Sequence, residues 1–309
     1  MAAFAVVRPG MLTTVQDLGR WGLQHLGVPV AGPMDWYSHR LANRLVGNAE
    51  NAAALEMTLL GPELIADADL SCAVAGAALD VIVGEESVNP DDVFTVHAGK
   101  RVRFMLRRPG ARATLAVRGG IDVAPVLGSR ATSLISRVGP FGGRALAPGD
   151  ILPIGAVPIS GGSQGMRLPV SSGGARVRVV AGPHAERFSA EALRRLNGSK
   201  YVVSPQSNRM GFRLEGPHLT AAASVQADML SDATPVGSIQ VPPSGLPILL
   251  MADRQTTGGY PKIATVITAD LPVAGQLAPG DWIEFFPVTR TAALDALRQR
   301  LASLSSAPA

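Results

Sequence analysis

Residues 146–153 read LAPGDILP, and residues 277–284 read LAPGDWIE. In each copy a Pro-Gly turn leads into an apolar run with the composition of a β-strand. Each copy also follows a long stretch of short, strand-like segments. We therefore predict two tandem β domains of related design. A chance match of five residues, in a chain rich in glycine and proline, is the alternative interpretation.

Short apolar or alternating runs, most of them bounded by Gly, Pro, Asn or Asp, account for much of the remaining chain. The predicted strands are residues 70–75, 79–83, 102–106, 113–117, 177–180, 247–252, 263–268 and 282–286. Their spacing is typical of closed barrels or sandwiches, and not of alternating strands and helices.

Three segments have a helical period. Residues 35–46 begin at a potential cap, Asp35, and residues 185–197 end before a glycine. In residues 291–304 an apolar stripe recurs every three or four positions. Its members are Leu294, Leu297, Leu301 and Leu304. We expect this stripe to pack on the outside of a β domain.

The glycine- and serine-rich residues 157–174 have the composition of a flexible linker. We place the domain boundary near residue 170. Residues 1–170 then form an N-terminal β domain with an inserted helix at 35–46. Residues 171–309 form a C-terminal β domain that ends in a helix. The predicted fold class is mainly β, with a few peripheral helices.

The composition excludes several classes of protein. Of 309 residues 47% are hydrophobic and 17% charged, the reverse of a disordered chain. The single cysteine excludes an intrachain disulfide framework, and the five histidines lack the spacing of a metal site. The net charge of +4 comes from scattered arginines, so we expect no nucleic-acid partner. With no signal-peptide pattern and no apolar run near about 20 residues, we expect a soluble, cytoplasmic protein without a membrane partner.

The segment most informative about chemistry is residues 248–262, ILLMADRQTTGGYPK. A wholly apolar run ends abruptly in five polar side chains that begin with Asp253 and Arg254, and two glycines follow. Polar groups at the end of a buried strand are held rigidly and can face a cleft. The pattern favours a binding or catalytic site over a hairpin in which Asp253 and Arg254 only pair with each other.

Other segments carry further candidate groups. Arg209 and Arg213 can form a bidentate clamp on a carboxylate, with a solvated turn as the alternative. Gln240, flanked by apolar residues, is either an inward-facing amide of a site or an ordinary buried hydrogen-bonding residue. The polar, glycine-punctuated residues 13–35 are a functional segment, a lid or a contact with another subunit.

Together these motifs resemble the allophanate hydrolase subunit 2 family. The resemblance lies in QDLGR at 16–20, GVP at 27–29, MD at 34–35, LE at 55–56, NRMGFRLEG at 208–216, QVPP at 240–243 and DRQTTGGYPK at 253–262. It covers essentially the whole chain. The family includes the C subunit of bacterial ATP-dependent 5-oxoprolinase, and it is similar to part of the carboxyltransferase region of urea carboxylase.

The resemblance implies tandem cyclophilin-like β-barrel domains and a heteromeric complex with a smaller, subunit-1 family protein. The 5-oxoprolinase enzyme also requires a third subunit. The implied reaction is ATP-driven cleavage of the lactam of 5-oxoproline to glutamate, with ATP bound by the complex at a site not located in this chain. Biotin takes part only if another polypeptide carries it, because this chain has no biotin-attachment motif.

From the motif positions we derive hypothetical roles. The catalytic residues are Asp253, Arg254 and Lys262. In this hypothesis Asp253 orients Arg254 or transfers a proton, and Lys262 neutralises developing charge. The substrate-binding residues are Arg209, Arg213, Gln240, Gln255, Thr256, Thr257, Gly258, Gly259 and Tyr260.

Two alternatives to lactam hydrolysis remain. The first is carboxyl transfer to urea or a similar amide, with a biotinylated partner. The second is a non-catalytic scaffold or regulatory partner of the subunit-1 protein. The polar run after Met251 favours a catalytic role, whereas the lack of a recognisable ATP motif favours a scaffold.

Overall fold

The computed structural model describes residues 2–107, 109–157, 161–163, 165–170, 172–220 and 229–305. The chain divides into two compact units. The first comprises residues 1–20, 31–170 and 301–309, and the second comprises residues 21–30 and 171–300. Both units are built mainly from strands with few helices, which confirms the predicted fold class.

The strands of the first unit form two sheets. They are β1 (Ala3–Arg8), β2 (Leu12–Gln16), β3 (Ala54–Thr58), β4 (Glu63–Ala66), β5 (Leu70–Gly76), β6 (Leu79–Val83), β7 (Glu86–Val88), β8 (Phe94–Val96), β9 (Arg101–Arg107), β10 (Arg112–Val117) and β11 (Ile151–Pro153). One sheet has the order β11-β1-β4-β9-β6-β7, and the other has the order β2-β3-β10-β5-β8. The apolar runs predicted between residues 70 and 117 coincide with strands of these sheets.

The main core of the first unit and its helix lie on opposite faces of the second sheet. On β5, Cys72 and Val74 belong to the main apolar core, whereas Ala73 and Ala75 pack with Tyr37 of helix α1 (Trp36–Leu45). This division follows from the alternation of side chains along a strand. The alanines on the helix side leave room for α1 to approach the sheet closely, and the sheet is therefore buried on both faces there.

Helix α1 confirms the helix predicted at 35–46. Its cap is Asp35, whose Oδ1 accepts a hydrogen bond from the backbone N of Ser38 at 2.9 Å. The predicted linker packs against this helix instead of being free: the Ser163 N donates to the Arg44 O at 2.9 Å. The flexible-linker prediction is wrong for the described part of that stretch, and residues 158–160, 164 and 171 lie outside the described residues.

The second unit contains a closed barrel of seven strands. Its strands are β12 (Gly174–Ala181), β13 (Tyr201–Val203), β14 (Gly211–Glu215), β16 (Ser238–Gln240), β17 (Ile248–Leu250), β19 (Lys262–Val266) and β20 (Trp282–Pro287), beside a separate two-stranded pair, β15 (Asp232–Ala233) and β18 (Thr257–Gly258). The ring order is β12-β19-β16-β17-β14-β13-β20. The parallel pairing of β20 with β12 closes it, and the other neighbours are antiparallel.

The remaining helices are short or peripheral. They are α2 (Pro140–Gly143), α3 (Ala190–Gly198), α4 (Leu271–Gly275) and α5 (Arg290–Ser303). Helix α3 begins five residues later than predicted, because the Ser189 Oγ caps it by accepting from the Ala192 N at 3.1 Å. None of the helices in the described residues is long and apolar enough to span a bilayer.

The apolar stripe predicted on α5 is wrong at two of its four leucines. Leu294 is 56% exposed and Leu301 is 39% exposed, whereas Ala296 is buried against Ile267 and Ala269. The helix packs mainly through its alanine face, because a small side chain permits a close approach to the neighbouring turn. The two exposed leucines consequently face solvent in this chain.

The two LAPGD copies adopt the same turn. The Asp150 Oδ2 accepts from the Ala147 N at 2.7 Å, and the Asp281 Oδ2 accepts from the Ala278 N at 2.8 Å. The glycine of each turn has a positive φ, +86° in the first copy and +88° in the second. A glycine suits this position because a Cβ is disfavoured there. Strands β11 and β20 follow directly.

Candidate functional site

Two of the predicted polar motifs meet because β14 and β17 are antiparallel neighbours. Gly211 at the start of β14 lies opposite Leu250 at the end of β17. The pairing continues past the strand ends, where the Asp253 N donates to the Arg209 O at 2.8 Å. The loop before β14 and the loop after β17 therefore run side by side, and each continues directly from a strand of the barrel.

Arg209 and Asp253 form a bidentate ion pair. The Arg209 Nε lies 3.1 Å from Asp253 Oδ2, and Nη2 lies 3.2 Å from Oδ1. The side chains are 5% and 0% exposed. Asp253 thus pairs with Arg209, a partner that the predicted role of orienting Arg254 did not include. The Arg209 guanidinium is engaged here, so the clamp expected from Arg209 and Arg213 is not assembled.

Arg254 is buried and bonds to the backbone. Its Nε donates to the Thr234 O at 2.7 Å, and Nη1 lies 3.5 Å from the Met251 O. Burial lowers the pKa of Arg254 to about 10, and the negative charge of Asp253 opposes this shift. The guanidinium remains charged near neutral pH, and it fixes the loop after β17 to the segment around Thr234.

The two threonines predicted to bind substrate also serve this backbone junction. Thr257 lies in β18 opposite Ala233, and its side chain faces solvent. The Thr256 O accepts from the Thr234 N at 3.1 Å. The Thr234 hydroxyl in turn donates to the Gln255 O. These contacts hold the polar run in a defined conformation, and substrate binding by the hydroxyls of Thr256 and Thr257 stays a prediction.

Two carboxamides form the centre of the candidate site. The Gln255 Nε2 donates to Gln240 Oε1 at 3.3 Å, and the Gln240 Nε2 donates to the Tyr260 O at 3.4 Å. Gln240 is buried, whereas Gln255 is partly exposed. Among the described residues no donor bonds to the Oε1 of Gln255. The pair is therefore an ordered amide group with acceptor capacity left at Gln255.

Gly258 lies close to the carboxamide of Gln240. A Cβ at residue 258 would lie 2.8 Å from the Nε2 of Gln240, whereas a Cβ at Gly259 would meet nothing closer than the Met229 O at 3.5 Å. Neither glycine has a positive φ. Close approach, and not a positive φ, therefore favours glycine at residue 258, and the approaching group is the protein's own amide.

An open pocket of about 200 Å³ lies against these amides. Its lining residues are Gln206, Asn208, Met210, Gly211, Arg213, Gln240, Ile248, Leu250, Gln255 and Tyr260. Four predicted substrate-binding residues meet here: Arg213, Gln240, Gln255 and Tyr260. The pocket thus combines a cation, a phenol and four carboxamides with apolar side chains. The buried Arg209, Asp253 and Arg254 do not line it.

Lys262 belongs to a separate cluster with two residues that sequence reasoning missed. Its ammonium is 1% exposed and lies 3.2 Å from Asp232 Oδ2, and the Nε2 of His184 lies 4.0 Å from the same oxygen. The Lys262 backbone N donates to His184 Nδ1 at 3.2 Å. This bond places the neutral ring's proton on Nε2, the nitrogen nearer Asp232.

The charge of Lys262 affects the pKa values of both of its neighbours. The Ala233 N and the Lys262 ammonium lower the pKa of Asp232. Burial, followed by the charge of Lys262, lowers the pKa of His184. No local motif marks His184 or Asp232, since the three residues are far apart in the chain. No group of three His, Cys, Asp or Glu side chains close enough to hold a metal occurs in the part of the chain that the structure describes.

Two residues of the motif at 16–20 hydrogen-bond to a loop of the first unit. The Asp17 carboxylate accepts from the Ser129 Oγ and the Arg130 N, both at 2.6 Å. The buried Arg20 donates to the Val126 O at 3.1 Å and the Ala131 O at 2.7 Å. These contacts tie Asp17 and Arg20 to residues 126–131, and the interpretations of residues 13–35 as a functional segment, a lid or a subunit contact stay predictions.

The chain is therefore a mainly β protein of two units, one built from two sheets and one containing a closed barrel with an amide-lined pocket. The carboxyltransferase domain, subdomains A and B, matches residues 26–287, and the chain belongs to that family. The resemblance read from the motifs is confirmed.

The relatives include two bacterial proteins that match over almost their whole length. The C subunit of the Escherichia coli 5-oxoprolinase is 39% identical over 292 residues, covering 94% of this chain and 93% of that protein. The C subunit of the Haemophilus influenzae 5-oxoprolinase is 36% identical over 277 residues, covering 89% and 88%.

Among solved structures, urea carboxylase of Kluyveromyces lactis superimposes with a TM-score of 0.91 at 32% identity. The match covers 98% of this chain and 29% of that one. This chain therefore corresponds to under a third of the larger enzyme.

Proposed function

We propose that this chain is the C-type subunit of a 5-oxoprolinase, acting with a subunit-1 family protein and a third subunit to hydrolyse 5-oxoproline to glutamate at the expense of ATP. The near-complete coverage of the Escherichia coli and Haemophilus influenzae relatives supports the assignment. A match to a whole subunit favours that subunit's role over the role of one region in a larger enzyme.

The observation that carries the proposal is the amide pair at the pocket. A lactam presents one N–H donor and one carbonyl acceptor, and 5-oxoproline adds a carboxylate. The Gln255 Oε1 can accept from the lactam N–H, while Arg213 faces the same pocket and can bind the carboxylate. A site with ordered polar groups discriminates strongly against analogues that leave those groups unpaired.

The pocket size agrees with a small substrate. Its volume of about 200 Å³ is below the roughly 300 Å³ at which pockets for drug-sized ligands begin. This volume suits a molecule of the size of 5-oxoproline. In this proposal ATP binds elsewhere in the complex, and this chain binds and orients the amide.

The buried ions then have positioning roles. Asp253 holds Arg209, and Arg254 holds the segment around Thr234. Both fix the loop that carries Gln255, so we propose that they shape the pocket without contacting the substrate. This replaces the catalytic roles that the sequence suggested for Asp253 and Arg254.

Carboxyl transfer to urea or a similar amide is the second candidate. The TM-score of 0.91 to the Kluyveromyces lactis urea carboxylase supports it, and the amide pair suits urea as well as a lactam. This function requires biotin on another polypeptide. Its carboxyl donor and its carboxylated product also carry a carboxylate, so Arg213 fits both reactions, and the near-complete coverage of the C-subunit relatives favours 5-oxoproline.

The test is reconstitution of the complex from its purified subunits. We expect ATP-dependent glutamate formation from 5-oxoproline with this chain present and none when it is omitted. A complex that forms glutamate equally well without this chain would contradict the proposal. A complex inactive on 5-oxoproline that carboxylates urea with a biotinylated carrier would establish the second candidate.

A further inference from the structure

The cluster of His184, Asp232 and Lys262 has an unusual distribution of exposure. The Lys262 side chain is 1% exposed, whereas Asp232, which neutralises it, is 52% exposed. The 3.2 Å contact between them lacks the directed geometry of a hydrogen bond, so the ammonium donates no such bond to a described residue. A buried cation is thus neutralised by a carboxylate that is itself largely in solvent.

The energetics of this pair are asymmetric. Moving Asp232 away costs its carboxylate little, because water already solvates half of it. The Lys262 ammonium cannot follow into water, and a buried charge left unpaired is strongly unfavourable. An anion that took the place of Asp232 would therefore restore the neutralisation of Lys262. The strand that carries Asp232 has two residues and pairs with β18 alone.

His184 is the second group that faces the Asp232 carboxylate, and its geometry also suits the binding of an anion. The neutral His184 ring carries its proton on Nε2, which lies 4.0 Å from the Asp232 oxygen that Lys262 also faces. An ammonium and an imidazole N–H thus converge on a single oxygen from different strand ends. Convergent donors on one oxygen are the arrangement with which proteins bind oxyanions.

We propose that Lys262 and His184 form a binding site for a small carboxylate-type anion, and that the Asp232 carboxylate occupies this site as an internal competitor. The class of ligand follows from the occupant, since a carboxylate already fills the position. Carboxylic acids and bicarbonate share its planar shape and single charge. The proposal stands on the cluster alone and does not depend on the proposed function.

The test measures anion binding to the full-length chain with acetate and bicarbonate as separate probes, at constant ionic strength set with chloride. The ring nitrogens of His184 in histidine labelled with ¹⁵N report on the site. In Asp232→Ala we expect the ¹⁵N resonances of His184 to shift saturably with each probe that binds. The affinity for that probe should be at least tenfold above that of the wild type. Asp295→Asn, which removes an exposed partner of Arg298, is the matched control and should behave as wild type.

A second variant locates the cation. Lys262→Gln in the Asp232→Ala background should abolish the shift, and in a thermal melt the anion should no longer raise Tm. Saturation by acetate alone assigns the site to carboxylic acids, and saturation by bicarbonate alone assigns it to carbonate. The proposal is wrong if folded Asp232→Ala shows no saturable shift, if chloride reproduces the shift, or if the Lys262→Gln double variant binds equally well.

Discussion

Arg209 and Asp253 form a bidentate ion pair buried at the junction of two loops, with Nε to Oδ2 at 3.1 Å and Nη2 to Oδ1 at 3.2 Å. The pair joins the loop before β14 to the loop after β17, and the second loop carries Gln255. Its burial means that neither charge is readily available to a ligand. The conformation of the pocket wall therefore depends on an ion pair that lies behind it.

Breaking this pair from one side should destabilise the protein. We expect Asp253→Asn to lower the free energy of unfolding by about 3–5 kcal/mol, since it leaves a buried guanidinium without its counterion. The double variant Arg209→Met/Asp253→Leu should recover a large part of the loss. Urea denaturation of the wild type and both variants checks this, and a double variant less stable than Asp253→Asn would contradict it.

A methyl group at residue 258 should disturb the amide pair. We expect Gly258→Ala to destabilise by about 1–3 kcal/mol, because the Cβ would lie 2.8 Å from the Gln240 amide. Gly259→Ala is the matched control and should change stability by at most about 0.5 kcal/mol. Thermal melts of both variants test this, and equal losses at the two positions would contradict the packing described here.

The buried His39 should make stability depend on pH. Burial lowers its pKa from 6.5 to about 4, with the charge of Asp17 acting in the opposite direction. The neutral ring is therefore favoured in the folded state. The stabilisation is complete above pH 6.5 and is lost as the pH falls from 6.5 to 4, because only the unfolded chain takes up a proton there.

The size of this effect follows from the shift. The difference between 6.5 and about 4 corresponds to at most about 3 kcal/mol. His39→Gln should flatten the dependence on pH between 4 and 6.5, whatever its effect at neutral pH. Urea denaturation at a series of pH values measures this, and an unchanged slope in the variant would assign the dependence to other groups.

Helix α5 should respond to substitution on its alanine face and not on its exposed leucines. Ala296→Leu should destabilise by about 1–3 kcal/mol by overfilling the contact with Ile267 and Ala269. Leu294→Ser should change the free energy of unfolding by no more than about 0.5 kcal/mol, because Leu294 faces solvent. A larger loss of stability in Leu294→Ser would show that Leu294 is packed, as the predicted apolar stripe requires.

Local patterns predicted much of the fold. The apolar runs at residues 79–83 and 113–117 are strands β6 and β10, and the cap at Asp35 located α1. The leucine stripe of α5 failed at two positions because periodicity identifies a helix but not the surface it packs against. The start of α3 was misplaced because Ser189, and not an earlier residue, supplies the cap.

Four of the candidate residues share a pocket, but the pairing of the charged residues behind it was not predicted. The end of the apolar run at Met251 correctly marked the polar loop, and Arg213, Gln240, Gln255 and Tyr260 do share a pocket. The partner of Asp253 depends on the pairing of β14 with β17, which brings in a residue 44 positions away. His184 and Asp232 join Lys262 only through the folded barrel, so no spacing in the sequence marks them.

The amide pair is the central claim, and steady-state kinetics of the reconstituted complex on 5-oxoproline test it most directly. The variant is Gln255→Leu, and the control is Thr257→Ser, whose side chain faces solvent. Loss of one hydrogen bond to the lactam should raise KM about tenfold with a smaller change in kcat, while the control keeps both constants. An unchanged KM in a well-formed Gln255→Leu complex would contradict substrate binding at this pocket.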